Sequence, residues 1–251
     1  MSTNKYTGRA ANYAKYRPGY PHEIIGLLER EIDLDQTKDI ADIGSGTGKL
    51  SKLFLENENL VYGVEPNTEM RETAEKLLKN NINFISINGT AEFTALADHC
   101  VDMIISGHAF HWFDTDKAKN EIRRIIRKDG YVVLIWNVRK RENPPVMADY
   151  EKLLVNFCPG YNPEKSSTVD EKIFNKFYGV KNFKLAMFRN SQLLDFTGLK
   201  GRLLSSEYVP IDTKDNKEIL GKLKEIFDKR SKDGFIKFEY DTKIYYGKIK
   251  K

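Results

Sequence analysis

The richest chemical signal in this sequence is a glycine-rich loop, Asp42-Ile43-Gly44-Ser45-Gly46-Thr47-Gly48, which follows a short apolar run. Glycines allow the backbone to turn sharply and allow a ligand to approach it closely. Glu65 stands 21 positions after Gly44, at the end of a second apolar run. In a strand–helix–strand unit, a carboxylate at that distance lies beside the ribose of a nucleoside bound at the loop. The two features together predict a nucleoside site.

The spacing of the glycines distinguishes between classes of nucleotide. A phosphate-binding P-loop needs glycine at position 43 and serine or threonine at position 50, where this chain has Ile43 and Leu50. The dinucleotide fingerprint needs a third glycine at position 49, which is Lys49. Here the third glycine comes one residue earlier, and an acidic residue, Asp42, stands two positions before the first. This arrangement resembles motif I of the class I methyltransferases, and the resemblance implies a nucleoside that carries methionine and has no pyrophosphate.

The elements that must position this loop alternate in type along the first half of the chain. Short apolar runs typical of buried parallel strands cover residues 39–43, 60–65, 82–87, 101–106 and 131–136. Between the last two runs, Ala118, Ile122, Ile125 and Ile126 fall on one helical face, with Asp114 or Thr115 as the N-cap and Gly130 closing the helix. Strand and helix alternating in this way predict a doubly wound parallel sheet with right-handed crossovers.

The pattern changes after Asn137. It predicts helices over residues 144–158, 168–178, 196–205 and 216–232, and extended segments over residues 183–194 and 235–249. We interpret the extended segments as the final strands of the same sheet, and the helices as a cap over residues 138–182 and 195–233. The prediction is therefore a single domain over residues 1–251, with an N-terminal lid and helix in residues 1–35 and a cofactor-binding core in residues 36–137.

Several motifs together resemble the class I methyltransferases of the type 11 group, near members similar to trans-aconitate methyltransferase. The resemblance covers residues 9–137 and includes the opening segment Gly8 to Pro21, the glycine loop, Val64-Glu65-Pro66-Asn67, Gly89-Thr90-Ala91-Glu92 and Ala109-Phe110-His111-Trp112-Phe113. It implies an α/β fold with a Rossmann-like, doubly wound sheet of seven strands. That sheet is mostly parallel with an antiparallel last strand, and the cap is inserted after strand 5 and between the last two strands.

The resemblance also implies S-adenosyl-L-methionine as the cofactor and gives roles to individual residues. Asp42, Gly44, Ser45 and Gly46 would line the methionine part, Glu65 would hold the ribose, and Pro66 and Met70 would flank the adenine, whose polar edge would meet Ala91 and Glu92. Residues 106–111, beginning with Ser106, would form the floor beneath the sulfonium. Tyr13, Tyr16 and Arg17 would form a lid, in which a tyrosine or Arg17 reaches the cofactor carboxylate. Tyr16 and Trp112 would face the substrate.

Methyl transfer by in-line displacement requires mainly the alignment of the acceptor, which can contribute on the order of 7–11 kcal/mol. An acceptor that carries a proton needs a general base, and His108 and His111 are the candidates because they follow the fourth strand. The same histidines could instead shape the site and form hydrogen bonds. A carboxylate acceptor needs no base, and Arg202 is then the candidate that orients it. No metal site is predicted, because the four histidines and two cysteines lack the spacing of zinc ligands.

The composition fits a globular enzyme and leaves some alternatives open. Hydrophobic residues make up 40% and charged residues 31% of the chain. The net charge of +5 is not concentrated in one block, which favours a small-molecule substrate over nucleic acid. Because no long apolar run or secretory signal is seen, we expect a cytoplasmic protein without a membrane partner. The alternatives are a methyltransferase acting on RNA or protein, a non-catalytic cofactor-binding protein, and a nicotinamide-dependent oxidoreductase. The sequence does not indicate the oligomeric state.

Overall fold

A computed structural model describes residues 6–163, 171–209 and 214–249 of the chain. Its elements are, in order, α1 (Ala10–Tyr16), α2 (Glu23–Ile32), β1 (Asp39–Ile43), α3 (Lys49–Glu56), β2 (Leu60–Val64), α4 (Thr68–Leu78), β3 (Phe84–Ile87), β4 (Val101–Gly107), a 3₁₀ turn (Phe110–Trp112), α5 (Thr115–Ile125), β5 (Ile126–Arg139), α6 (Pro145–Phe157), α7 (Glu171–Tyr178), β6 (Phe183–Leu194), α8 (Phe196–Leu204), α9 (Lys214–Arg230) and β7 (Ile236–Gly247). No helix in this described part is long and apolar enough to cross a membrane.

The strands form one sheet of seven in the order β3-β2-β1-β4-β5-β7-β6. The first five strands pair in parallel, whereas β7 lies antiparallel to both β5 and β6. This confirms the predicted Rossmann-like fold with an antiparallel last strand. The chain proceeds outward from β1 towards β3 and, in the opposite direction, from β4 towards β5. The loops after β1 and β4 therefore diverge, and such a divergence opens a crevice for a ligand at the carboxyl edge of the sheet.

The core lies on both faces of this sheet, because successive residues of a strand point to opposite faces. Ile40 of β1 packs with Leu28 of α2 and Phe54 of α3 on one face. Ile43 of the same strand belongs to the cluster on the other face, which is covered by α5 and α7. A third cluster is the core of the cap and joins α6, α8 and α9 to the end of β6 and the start of β7. The helices thereby cover both faces of the sheet from which the loops after β1 and β4 extend.

The boundary between α5 and β5 differs from the sequence prediction. The helix ends at Ile125, and Ile126 already pairs with Val101 of β4. Gly130 was predicted to close the helix, but it lies inside β5. A Cβ atom at Gly130 would stand 2.6 Å from the carbonyl oxygen of Asp102, so the glycine permits the close approach of β4. The strand is irregular here, with a register shift in its pairing with β4, and helix spacing alone did not reveal it.

The remaining boundaries agree with the prediction to within a few residues. The third strand begins at Phe84 rather than Ile82, whose side chain is 95% exposed and joins no core. The helix predicted over residues 168–178 is present from Glu171 to Tyr178, and its predicted start at Thr168 lies outside the described residues. The last strand covers Ile236–Gly247, slightly less than the predicted residues 235–249.

Candidate functional site

The three glycines of the loop have a left-handed backbone conformation. The φ angles of Gly44, Gly46 and Gly48 are +73°, +58° and +78°, values that residues with a Cβ atom rarely adopt. A Cβ atom at Gly44 would also stand 2.4 Å from the Cβ atom of Ala109, in the loop after β4. The two loops at the crevice therefore touch each other, and the glycines make this contact possible.

Two adjoining pockets open at this crevice. The first, which we call the arginine pocket, spans about 530 Å³ including space open to solvent and is lined by Arg17, Asp42, Ser45, Lys49 and Arg202, among others. The second, which we call the Glu65 pocket, spans about 850 Å³ including space open to solvent and is lined by Glu65, Pro66, Met70, Ala91 and Trp112, among others. Five residues line both pockets and define the junction between them: Tyr13, Gly44, Gly46, Gly107 and His108.

Glu65 directly follows β2 and lines the Glu65 pocket, where two main-chain N–H groups hold its carboxylate. Its Oε2 accepts a hydrogen bond from the N–H of Gly46 over 2.9 Å, and its Oε1 accepts one from the N–H of Asn67 over 2.8 Å. Burial raises the pKa of the carboxyl, although both hydrogen bonds lower it. Each oxygen keeps a further lone pair. A carboxylate fixed in this way can accept hydrogen bonds from the two hydroxyls of a ribose.

Asp42 lies at the end of β1 and lines the arginine pocket. Its Oδ2 accepts a hydrogen bond from the hydroxyl of Ser51 over 2.6 Å. Its Oδ1 is buried and has no hydrogen-bond partner among the described residues. Burial raises the pKa of this carboxyl to about 7, and the nearby charge of Glu65 adds to the effect. A buried carboxylate oxygen without a donor is well suited to bind an ammonium group.

Three cations line the arginine pocket, and none forms an ion pair with a carboxylate within the described ranges. Arg17 donates from Nε to the hydroxyl of Ser205 over 2.9 Å and lies over the ring of Tyr13. Arg202 is buried and approaches only hydroxyl groups, at 3.4 Å and 3.5 Å. Burial lowers the pKa of Lys49 to about 8. The pocket therefore has an excess of positive charge, which favours an anionic ligand.

The two candidate histidines have different environments. His108 lies at the junction, and its Nε2 accepts a hydrogen bond from the main-chain N–H of Asn137 over 2.8 Å. Burial, together with the smaller effect of the Arg17 charge, lowers the pKa of its imidazole to about 3. His111 is exposed and lies beside Trp112, outside the linings of both pockets. Of the two, only His108 is placed to touch a ligand in these pockets.

Three other predicted site residues are directed elsewhere. The Glu92 carboxylate accepts a hydrogen bond from the N–H of Asp114, next to the start of α5. The Ser106 hydroxyl donates to the carbonyl oxygen of Ile43 and joins β4 to β1. The Tyr16 ring packs on α8, so closely that a Cβ atom at Gly201 would stand 2.1 Å from it. None of these three residues lines either pocket. The other predicted residues Tyr13, Arg17 and Arg202 do line the arginine pocket.

Some pocket residues were not assigned from the sequence. Tyr20, Lys49 and Asn137 all line the arginine pocket. Lys49 follows the glycine loop directly, and Asn137 follows the predicted fifth strand at the carboxyl edge of the sheet. Their places in the pocket could therefore have been predicted from the sequence. Tyr20 belongs to the opening segment of the resemblance, but nothing in the local sequence indicates which sheet residue it meets.

The chain is similar in sequence and in fold to known methyltransferases. The family model described as "Methyltransferase domain" matches residues 41–134, which include the glycine loop, Glu65 and His108. An uncharacterized methyltransferase of Schizosaccharomyces pombe is 28% identical over 209 residues, which cover 82% of this chain and 80% of that protein. An uncharacterized methyltransferase of Mycobacterium tuberculosis is 34% identical over 127 residues, which cover 51% of this chain and 49% of that protein.

A solved structure from Anaeromyxobacter dehalogenans, described as a candidate type II methyltransferase, superposes with a TM-score of 0.67. It is 20% identical, and the match covers 93% of this chain and 98% of that chain. At this level of identity the similarity shows a shared fold. The glycine loop and the two pockets lie within that fold.

Proposed function

We propose that this chain, in which the methyltransferase family model matches residues 41–134, is an S-adenosylmethionine-dependent methyltransferase that transfers the methyl group to the carboxylate of a small-molecule acceptor. The observation that carries the proposal is the environment of Arg202. Its guanidinium is buried, lines the arginine pocket and has only hydroxyl groups as hydrogen-bond partners within the described ranges. A buried cation without a counter-ion is costly, and an anionic substrate would supply the missing charge.

The described residues fit the cofactor. The unpartnered Oδ1 of Asp42 would bind the α-amino group, and Arg17 or Lys49 would bind the carboxylate of the same methionine part. Glu65 would accept hydrogen bonds from the ribose hydroxyls, and the adenine would lie in the Glu65 pocket, which Pro66 and Met70 line. When bound, the cofactor supplies a methyl group on a sulfonium, which already carries its leaving group.

The residues on the acceptor side supply orientation. A carboxylate oxygen is a nucleophile at neutral pH and needs no general base. Its lone pair forms the new bond to the methyl carbon while the carbon–sulfur bond breaks and its electron pair passes to sulfur. Arg202 would hold the acceptor through charge-assisted hydrogen bonds. His108 is neutral with its proton on Nδ1, because Nε2 accepts from Asn137, and it can therefore donate a further hydrogen bond. Alignment of this kind supplies on the order of 7–11 kcal/mol.

The first experiment measures cofactor binding without an acceptor. Isothermal titration of the purified chain with S-adenosylmethionine and with S-adenosylhomocysteine should give micromolar binding of both. Addition of small mono- and dicarboxylic acids with labelled S-adenosylmethionine should then give methyl esters, whereas the corresponding amides should remain unmethylated. An Arg202→Gln variant should raise the KM for the acid by about 10- to 150-fold, the loss expected for charge-assisted hydrogen bonds, and should leave the cofactor Kd unchanged.

Arg30→Gln is the control, because Arg30 is exposed on α2 and lies outside both pockets. Methylation of RNA or protein in place of every small acid would overturn the proposed acceptor class. Equal KM values for the Arg202→Gln and parent proteins would remove Arg202 from acceptor binding. Failure of a folded protein to bind either cofactor form would contradict the assignment of the pockets.

A further inference from the structure

A line of hydrogen bonds behind the arginine pocket ends at the guanidinium of Arg202. Arg202 lies on α8 and lines the pocket, and its Nε lies 3.4 Å from the hydroxyl oxygen of Tyr240 on β7. That hydroxyl lies 2.9 Å from Oε1 of Gln192 on β6, whose Nε2 lies 3.1 Å from the carbonyl oxygen of Tyr16 on α1. Four elements that are far apart in the sequence are thus connected to the guanidinium.

The chemistry of these groups allows only one direction of donation along the line. The carbonyl oxygen of Tyr16 can only accept, so the Gln192 amide directs its NH₂ group towards it and its oxygen towards Tyr240. The Tyr240 hydroxyl therefore donates its hydrogen to that oxygen and offers a lone pair to Arg202, whose N–H groups can only donate. Each group determines the role of the next, beginning with the main chain of the N-terminal segment.

Burial makes this arrangement costly to disturb. The exposed fractions of Arg202 and Tyr240 are 6% and 1%, and a buried polar group that loses its partner pays the full cost of desolvation. The ring of Tyr16 also packs on Gly201, the residue before Arg202, where a Cβ atom would stand 2.1 Å from the ring. The end of α1 therefore meets α8 directly and is connected to Arg202 a second time through Gln192 and Tyr240.

The bond to Tyr240 determines which part of the guanidinium can bind a ligand. Nε of Arg202 carries a single hydrogen, which the Tyr240 hydroxyl accepts. Nη1 lies 3.5 Å from the hydroxyl oxygen of Ser206 and has a second hydrogen to donate. Nη2 forms no hydrogen bond with any residue that the structure describes. Nη1 and Nη2 are thus the fork that is left for a carboxylate, which can bind it through two parallel hydrogen bonds.

We propose that Tyr240 is a positioning residue for the acceptor: its hydroxyl, directed by Gln192, holds Arg202 with the fork of Nη1 and Nη2 towards the arginine pocket. This inference rests on the proposed function, in which Arg202 binds the carboxylate of the acceptor. Without the hydroxyl, the guanidinium keeps its charge but loses the bond that fixes its rotation. Affinity for the acid then falls, whereas cofactor affinity does not, because Asp42, Glu65 and the other cofactor residues are unaffected.

The test compares two tyrosine hydroxyls in the core of the cap. Tyr240→Phe should raise the KM for the acid about three- to tenfold, the range for one lost hydrogen bond, and leave the Kd of S-adenosylmethionine unchanged. Tyr150→Phe is the matched control, because Tyr150 is buried in the same cluster and its hydroxyl has no hydrogen-bond partner among the described residues. It should leave the KM unchanged. Gln192→Leu keeps the Tyr240 hydroxyl but removes the group that directs it, so the KM should rise here too.

The Arg202→Gln background shows whether Tyr240 acts through Arg202. Because the guanidinium is absent there, Tyr240→Phe should raise the KM further by less than about twofold. A full additional rise would show that Tyr240 acts on the acceptor independently, and it would overturn the proposal.

The proposal would also be overturned by parent-like KM values in Tyr240→Phe and Gln192→Leu proteins that circular dichroism shows to be folded. An equal rise in Tyr150→Phe would overturn it as well, since the loss of any buried hydroxyl in the cap would then suffice. If the parent methylates no acid, or if Arg202→Gln leaves the KM unchanged, the proposed function itself fails and the role of Tyr240 fails with it. A raised KM in Arg202→Gln alone contradicts only the role of Tyr240.

Discussion

The main-chain N–H of Asn137 donates a hydrogen bond to Nε2 of His108 over 2.8 Å, although 29 residues separate the two in sequence. A neutral imidazole has one protonated and one unprotonated nitrogen. Because Nε2 accepts, the proton of His108 lies on Nδ1. Asn137, near the end of β5, therefore leaves Nδ1–H as the free hydrogen-bond donor of the neutral His108, and Nε2 is already occupied as an acceptor.

The protonation of His108 can be observed directly. Burial lowers its pKa to about 3, so we expect its imidazole signals to remain those of the neutral Nδ1–H form between pH 5 and pH 8. Nitrogen-detected NMR measures this, and a His108→Asn variant identifies the signals. A midpoint near pH 6.5, the ordinary value, would show that the imidazole is solvated and would reopen its role as a base.

The same shift predicts a dependence of stability on pH. The folded-state pKa of His108 lies below the unfolded value of about 6.5, so its contribution to stability is complete above pH 6.5. It is lost as the pH falls towards 3, because the unfolded chain binds the proton more readily. The free energy of unfolding of His108→Asn, measured by denaturant titration, should fall less between pH 6.5 and pH 4 than that of the parent.

The ionisation of Asp42 should control cofactor affinity. Its pKa is raised to about 7 in the free protein, whereas pairing with an ammonium group requires the carboxylate. Below pH 7, binding must therefore displace a proton, and we expect the affinity for S-adenosylmethionine to fall by up to about tenfold per pH unit. Calorimetry at pH 6 and pH 8 tests this. Ser51→Ala removes a hydrogen bond that lowers the pKa, so its affinity should begin to fall at a higher pH. A pH-independent affinity in the parent would contradict the assignment.

Glu65 should contribute to the binding of both cofactor forms equally. Its contacts would be with the ribose, which is the same in S-adenosylmethionine and S-adenosylhomocysteine. We expect Glu65→Ala to weaken both by at least about tenfold, the loss expected for charge-assisted hydrogen bonds, and to leave their affinity ratio unchanged. The variant must be checked for folding by circular dichroism, because Glu65 also accepts from the N–H groups of Gly46 and Asn67. Parent-like affinities in a folded variant would remove Glu65 from the site.

Arg9 attaches the N-terminal helix to the cap. Its guanidinium is buried and donates to the carbonyl oxygens of Leu204, Ser206 and Val209 over 2.8, 2.6 and 2.6 Å. We expect Arg9→Gln to lower the free energy of unfolding by about 2–4 kcal/mol, since hydrogen bonds to charged groups are lost and buried carbonyls are left without donors. Chemical denaturation measures the loss. Arg30→Gln, on the exposed face of α2, should change it by less than about 0.5 kcal/mol. A similar value for Arg9→Gln would show that the helix is held by its apolar contacts alone.

Much of the fold and part of the site could be predicted from the sequence, because those features depend on neighbouring residues. The spacing of Gly44, Gly46 and Gly48 reflects local backbone angles, and the alternation of apolar runs reflects the burial of each strand. The position of Glu65 follows from the length of one strand–helix–strand unit. These short-range constraints predicted the sheet and the nucleoside crevice, whereas the antiparallel last strand was implied by the family resemblance.

The tertiary structure decided the features that depend on residues far apart in the chain. The end of α5 at Ile125 is set by pairing of Ile126 with Val101, which outweighs the helical spacing. The tautomer of His108 depends on Asn137, and Asn137 and Asn190 on two later strands hold the Gly19 carbonyl next to Tyr20, whose hydroxyl lies over Gly107. Hydrogen-bond partners and burial arise only when distant segments pack together. The sequence therefore determined which nucleoside site could form, and packing determined which side chains in it are free to act on a ligand.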